Sequence, residues 1–424
     1  MMRVTSGAAA KQKLLQPGFL LVSCAVLFNF ALCFSNTVGV LKASNALVIL
    51  AEATQLGVAL LIIHRHTAPI MPTVITLMLY LLSMKLFNPE LDLKIIRDLA
   101  IMYIFFVLGR GSTSRTVSLT LWTTIAVVLL VAGFEFLATD AYGRLFNVWA
   151  YYVDKGALAD DLVNYGNTSL FLSANRGEEI GRNFFPGVFG SHRISSVFLE
   201  PDSMGNFAGI LFAWGLSGRF SCRLERGLLL AVALFCVVLG DSRFAAGCCA
   251  LMLLLRLSKA WRSPAVAFFI PVALMLGLVI FGVVTELPGQ APIITSDDFL
   301  GRLMFSGRLL AYWTWPEWFA LRPSSVYVAD TGYAYVINSL GLLPALILLG
   351  AFALTRPTTE EAACMKAMTS LYIATALSIG ASVFTIKTGG LVWFLCGAAM
   401  ALPKPTRGLL VEHDSSAAAQ LSWS

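Results

Sequence analysis

The feature that most confines this chain is a repeated pattern of apolar runs, each roughly 15 to 25 residues long, separated by short polar clusters. Wound as a helix, one such run spans the ~30 Å hydrocarbon core of a bilayer. Windows of about 19 residues centre these runs near Leu27, Gln55, Met78, Ile104, Val127, Leu211, Ala233, Met252, Leu274, Ala345, Ala374 and Leu395. The expected fold is all-α, a polytopic integral membrane protein of about 12 transmembrane helices. Residues 1–402 would form a single membrane domain, and residues 403–424 a cytoplasmic C-terminal tail. Charged residues make up 13% of the 424, against about 25% in soluble domains, and a water-soluble fold is excluded on that ground.

Lys plus Arg number 30 and Asp plus Glu 24. In a membrane chain such an excess is explained first by topology, so nucleic acid is not an expected partner. With the N-terminus in the cytoplasm, the inside segments collect Lys11, Lys13, Arg110, Arg115, Arg219, Arg223, Arg226, Arg256, Lys259, Arg262, Arg356 and Lys366, among others. The short outside loops hold only Lys42, Lys85, Lys94, Arg97, Arg243 and Lys387, which puts both termini inside. Lys11 and Lys13 precede an apolar stretch that reads as the first span, because no convincing signal-peptide cleavage site follows. Nearly all eight cysteines lie within apolar runs, and no C-x-x-C with a matching His pair occurs. Neither a disulfide framework, a metal nor another cofactor is expected.

Two connections, about 139–202 and 286–331, are much longer than the rest and face outward. Their basic residues are Arg144, Lys155, Arg176, Arg182, Arg193, Arg302, Arg308 and Arg322. Arginine dominates, and its planar fork matches phosphate or carboxylate oxygens bidentately. In the first loop, Pro201-Asp-Ser203 reads as a helix start whose positive end lies beside His192 and Arg193, a place suited to an anionic head group, with Glu200 as a base. The plainer alternative is a loop ion pair between Arg193 and Glu200, with His192 solvated. In the second loop, Ser306 reads as an N-cap that puts Arg308 in the first helical turn, where a phosphate would reconcile the cation with the helix dipole. Arg302 converges on Arg308 only if the Ser306-Gly307 break redirects the chain. The alternative is an interfacial anchor, since Tyr312, Trp313 and Trp315 follow. Asp330 lies at the mouth of the next span, as a base or simply as a cap. Arg243 sits in a very short outside turn, paired with Asp241 or with a ligand, and Glu52 and Glu135 are intramembrane acids that are either functional or structurally paired.

These residues carry a resemblance. Arg193-x-x-Ser196-x-Phe-x-Glu200-Pro-x-x-x-Gly205-Asn206, the Ser242-Arg243 turn, Ser306-Gly-Arg308, Asp330-x-Gly-Tyr333 and Asn338-x-x-Gly341, in this order, resemble the Wzy polymerase and O-antigen ligase superfamily, most closely its exopolysaccharide polymerases. The resemblance covers the stretch from about the fifth span to the tenth. It implies a metal-independent glycosyltransferase acting on undecaprenyl-diphosphate-linked glycans at the outer face of the bacterial inner membrane. Under it, Arg308 and Arg193, with Arg243 and Arg302 behind them, hold the donor diphosphate, and Asp330, Glu200 or His192, in that order, is the base. Its ligases carry a histidine beside an asparagine where this chain has Asp330 and Tyr333, which favours a polymerase. Membrane lipid, the lipid-linked oligosaccharide, and chain-length regulator and export proteins are the implied partners. The rival readings are an O-antigen ligase with lipid A core as acceptor, and a lipid-linked oligosaccharide flippase or transporter.

Overall fold

The structure, a computed structural model, describes residues 15–67, 71–92, 94–158, 169–174, 192–218, 220, 222–285, 291–294, 299–328 and 331–401. Asp330, Arg176, Arg182 and the tail 403–424 lie outside the described residues. In chain order the helices are α1 (Leu15–Thr37), α2 (Asn45–Thr67), α3 (Met71–Phe87), α4 (Lys94–Gly111), α5 (Ser114–Leu137), α6 (Thr139–Leu145), α7 (Val148–Asp154), α8 (Pro201–Ser217), α9 (Arg223–Leu239), α10 (Arg243–Ser258), α11 (Val266–Thr285), α12 (Phe299–Tyr312), α13 (Trp315–Trp318), α14 (Gly332–Leu340), α15 (Leu342–Leu354), α16 (Glu360–Leu377) and α17 (Ile386–Ala399). The described residues contain no β-strand, as expected where a bilayer offers backbone groups no partners and helices satisfy their own.

Each of the apolar centres read from the sequence falls within one of these helices. Four segments are both long and apolar enough to cross a membrane: Gly18–Thr37, Asn45–His64, Ser114–Leu137 and Val266–Thr285. A fifth crossing arises if α14 and α15, bent by 108° at Gly341, count as one broken span. Gly341 makes that bend with a φ of +82°, a backbone conformation costly for any side chain with a β-carbon. Tyr80 braces it by donating its hydroxyl to Leu340 O at 2.7 Å.

The centre of the molecule is α8. Every residue from Pro201 to Ser217 except Asp202 is buried, and α9, α10, α16 and α17 pack around it. A helix that is apolar on all sides belongs inside. The outer helices instead turn leucines such as Leu61, Leu79 and Leu130 outward, as a surface facing lipid requires. The first long connection leaves α5 after Leu137 and returns at Pro201, carrying α6 and α7; the second leaves α11 after Thr285 and returns at Gly332, carrying α12 and α13.

The α11–α12 crossing positions the second connection. A β-carbon on Gly282 would stand 2.0 Å from Gly307 O and 2.8 Å from Arg308 N, so only glycine allows this backbone approach. Gly277, on the same helix, has open space around it. Gly282→Val should therefore destabilise the protein by about 1–3 kcal/mol, read as a lowered unfolding temperature in detergent, while Gly277→Val leaves it nearly unchanged. Equal effects at the two positions would refute the crossing.

Candidate functional site

The segment before α8 is shaped from beneath by Glu135, near the end of α5. Its carboxylate accepts the amide of Ser195 at 3.0 Å and that of Ser196 at 2.6 Å. Ser196 Oγ donates to Val128 O at 2.6 Å, and the Tyr142 hydroxyl donates to Ser196 O at 3.0 Å. These bonds hold Ser196 and Leu199 at φ of 53° and 65°, left-handed conformations that side-chain-bearing residues adopt only when their surroundings over-determine them. Glu135 is thus a structural anchor, and its Oε1 lies 3.8 Å from Nε2 of the buried His192.

The outcome is a buried polar cluster at the mouth of α8. Glu200 occupies the N-cap position, yet its side chain makes no capping bond. Its Oε2 instead accepts from Lys387 Nζ at 3.0 Å and from Ser203 Oγ at 2.9 Å, and its Oε1 accepts from the Tyr152 hydroxyl. Charge pairing has displaced capping. Burial alone would raise the Glu200 carboxyl, but the ammonium groups of Lys387 and Lys155 outweigh it and hold the group at about 2, against an ordinary 4.5. Burial and the adjacent Glu200 push the Tyr152 phenol well above its ordinary range, so it remains a donor. Lys155 lies 3.6 Å from the centre of the Tyr152 ring, and burial lowers it to about 8. A carboxylate this acidic is a weak proton acceptor near neutrality, so the arrangement suits Glu200 to fixing charge more than to removing a proton.

Arg193 and Glu200 do not pair with each other. Arg193 is buried and donates from Nε to Gly240 O at 3.0 Å, from Nη1 to Ser173 O at 3.1 Å and from Nη2 to Asp202 Oδ1 at 2.9 Å. It joins the first connection, the start of α8 and the α9–α10 turn. Ser242 caps α10 by accepting from Ala245 N at 3.2 Å, which puts the half-buried Arg243 in the first turn of that helix. Ser242 also packs on Gly205, where a β-carbon would come within 2.3 Å of its Oγ. One turn into α8, Asn206 Oδ1 accepts from the Tyr372 hydroxyl at 2.8 Å and from Ser382 Oγ at 3.3 Å. Residues of the first-loop motif and of the Ser242-Arg243 turn therefore meet around one helix end.

The second loop departs from expectation. Ser306 does not cap a helix: α12 begins at Phe299 and runs unbroken through Ser306 and Gly307 to Tyr312. Arg308 consequently lies in the third turn, and the expected phosphate site at a helix N-terminus is withdrawn. Without a break, Arg302 and Arg308 point about 120° apart and do not converge. Arg308 is half-buried, makes no hydrogen bond or ion pair among the described residues, and has a buried Nε with no acceptor there. By contrast Arg322 is engaged, donating from Nε to Glu317 Oε1 at 2.6 Å. Glu52 proves structurally paired, accepting from Arg97 Nη1 at 2.8 Å, while Arg97 also grips Asp98 at 2.6 Å and Asp98 accepts from the Tyr335 hydroxyl at 2.7 Å. Beside that network an apolar groove of about 160 Å³ opens between α4, α11, α14, α15, α16 and α17, lined by Leu99, Met275, Ile337, Leu349 and Trp393 among others.

Lys387, Tyr152 and Lys155 join the site without having been singled out by their sequence motifs. The one available signal was Lys387 itself, a cation at the edge of an apolar run, which normally has a partner. Among the described residues no group of three or more His, Cys, Asp or Glu side chains is placed to hold a metal. No family model, no curated protein and no solved structure matches the chain.

If the Glu200–Lys387 pair holds the mouth of α8, Lys387→Met should cost about 1–3 kcal/mol by leaving the part-buried carboxylate without its closest cation, and Glu200→Gln/Lys387→Met should recover much of that loss. With Glu200 at about 2 in the fold against 4.5 ordinarily, the wild type's advantage over the double variant should be complete above pH 4.5 and vanish as the pH falls through about 2. Unfolding in detergent across that range measures it; a pH-independent difference would dismiss the pair.

Proposed function

We propose that this protein is an exopolysaccharide polymerase of Wzy type, spanning the bacterial inner membrane about twelve times with both termini in the cytoplasm and the two long connections outside. It transfers the growing glycan from undecaprenyl diphosphate to a sugar hydroxyl of the next lipid-linked repeat unit. The bond from the anomeric carbon to the diphosphate oxygen breaks, the bond to the acceptor oxygen forms, the acceptor proton passes to a base, and undecaprenyl diphosphate leaves. Such a step needs positive charge on the departing oxygens and a base for the attacking hydroxyl.

The observation that carries this reading is Arg308. A half-buried guanidinium whose Nε has no acceptor among the described residues is costly unless an anion completes it. A diphosphate supplies several oxygens in the geometry an arginine fork prefers. Arg243, in the first turn of α10, and Arg302, on another side of α12, are assigned as secondary cations, while Arg193, whose guanidinium already has three protein acceptors, orders the mouth of α8. Asp330 is the assigned base, with His192 behind it; Glu200 works as a fixed charge orienting Lys387. The apolar groove beside α14 offers the isoprenoid chain a bed within the bilayer.

Two outcomes test the proposal. Arg308→Lys keeps the charge and loses the fork, so in cells it should yield nearly as little polymer as Arg308→Ala at normal membrane protein level. Near-wild-type polymer from Arg308→Lys would reduce the residue to a simple charge, and full activity of both variants would remove it from the site. For topology, Gly177→Cys and Gln290→Cys should react with a membrane-impermeant thiol reagent in spheroplasts, and Thr358→Cys should not. Protection of both loop positions would reverse the orientation.

A further inference from the structure

At the end of the molecule opposite the Glu200 cluster, the short 3-10 turn Ala260–Arg262 that follows α10, the start of α11, the end of α15 and the start of α16 line a cavity of about 350 Å³. It lies a full length of α10, ~24 Å, from the Ser242 turn. Its wall carries Arg262, Arg356 and Lys366. Lys366 is buried, and its Nζ donates to Ala353 O at 2.5 Å and Thr355 O at 2.7 Å, closing the C-terminal end of α15. That accounts for two of its three donors. Arg356 is exposed and makes no hydrogen bond or ion pair among the described residues. Arg262 has one ion-pair partner among the described residues, Glu360 at 3.1 Å, with both side chains more than half exposed, an ion pair worth little and easily exchanged. Trp261 is buried against the same wall, with the guanidinium carbons of Arg256 and Arg262 at 4.6 Å and 5.3 Å from its ring centroids.

We propose that this cavity binds the phosphodiester headgroup of an anionic phospholipid from the inner leaflet, held by Arg262, Arg356 and Lys366 against the Trp261 wall. Two observations choose a lipid over a soluble anion. The basic groups outnumber the acidic Glu360 beside them, which complements a phosphate. The cavity wall also includes Leu354, 82% exposed, which gives an acyl chain apolar surface to lie on while the phosphate stays in the cavity. Helix termination explains Lys366, and inside-positive topology explains basic residues on this face, but neither explains their grouping around one cavity open to lipid. The inner-leaflet assignment rests on the proposed orientation, and the site itself requires only that the chain sits in a bilayer; neither depends on glycosyl transfer, so the lipid site and the polymerase reading can fail separately.

The test uses the full-length protein, purified in neutral detergent and offered phosphatidylglycerol against excess phosphatidylcholine, with retained lipid counted by native mass spectrometry. Wild type should retain phosphatidylglycerol selectively. Arg262→Gln/Arg356→Gln should weaken retention roughly 30-fold, and Arg262→Lys/Arg356→Lys should keep it within about threefold. Both arginines are exposed, and an unchanged unfolding temperature verifies that the variants fold. Inorganic phosphate should not displace the lipid. Equal retention by wild type and the glutamine variant would overturn the site. Displacement by phosphate would overturn its lipid occupant in favour of a soluble anion.

Discussion

One ion pair, buried on the lysine side, organises one end of the molecule: Glu200 at the head of α8 against Lys387 near the head of α17, 3.0 Å apart and 187 residues apart in sequence. Lys387 is buried and Glu200 partly so, and removing either leaves the other without its closest opposite charge. Once paired, each recruits further structure. Glu200 draws in Tyr152 from α7 and Ser203 from the first turn of α8, and Lys387 donates its remaining reach to Phe198 O at 3.1 Å. The first long connection is thereby tied to the start of the central helix. Glu135 performs the complementary task from below, spending its carboxylate on the amides of residues 195 and 196.

Against that frame the arginines divide by what already occupies them. Arg193 has three protein acceptors and works as a clamp between the loop, α8 and the α9–α10 turn. Arg97 and Arg322 are likewise held by carboxylates. Arg308 differs, since its guanidinium has no acceptor among the described residues although its Nε is buried. Preorganised positive charge that internal partners have not quenched is what a departing diphosphate requires. The proposed polymerase chemistry therefore leans on Arg308 more than on Arg193.

Much of the helical plan was legible because it rests on local pattern. Apolar runs locate helices, Pro201 marks the start of α8, and the limits of both long connections coincide with helix ends at Leu137, Pro201, Thr285 and Gly332. What escaped depends on contacts between segments far apart in sequence. Lys387 looked like one more outer lysine, because nothing near residue 387 encodes a carboxylate at residue 200. Glu135 looked like a costly acid until the loop that buries it was in place. The N-cap expected at Ser306 failed for a related reason. Gly307 looks like a helix breaker in sequence, but it is the contact point at which α12 crosses Gly282 of α11, and tertiary packing carries the helix through it.

The central claim is that this protein joins lipid-linked repeat units outside the membrane, and the most direct measurement is the glycan carried on undecaprenyl diphosphate in a strain lacking it. The account predicts single repeat units accumulating on the carrier, exposed at the outer face, with no longer chains. Repeat units confined to the cytoplasmic face would instead indicate a flippase. Full-length polymer accumulating on the carrier would indicate a ligase, and either result would contradict the account.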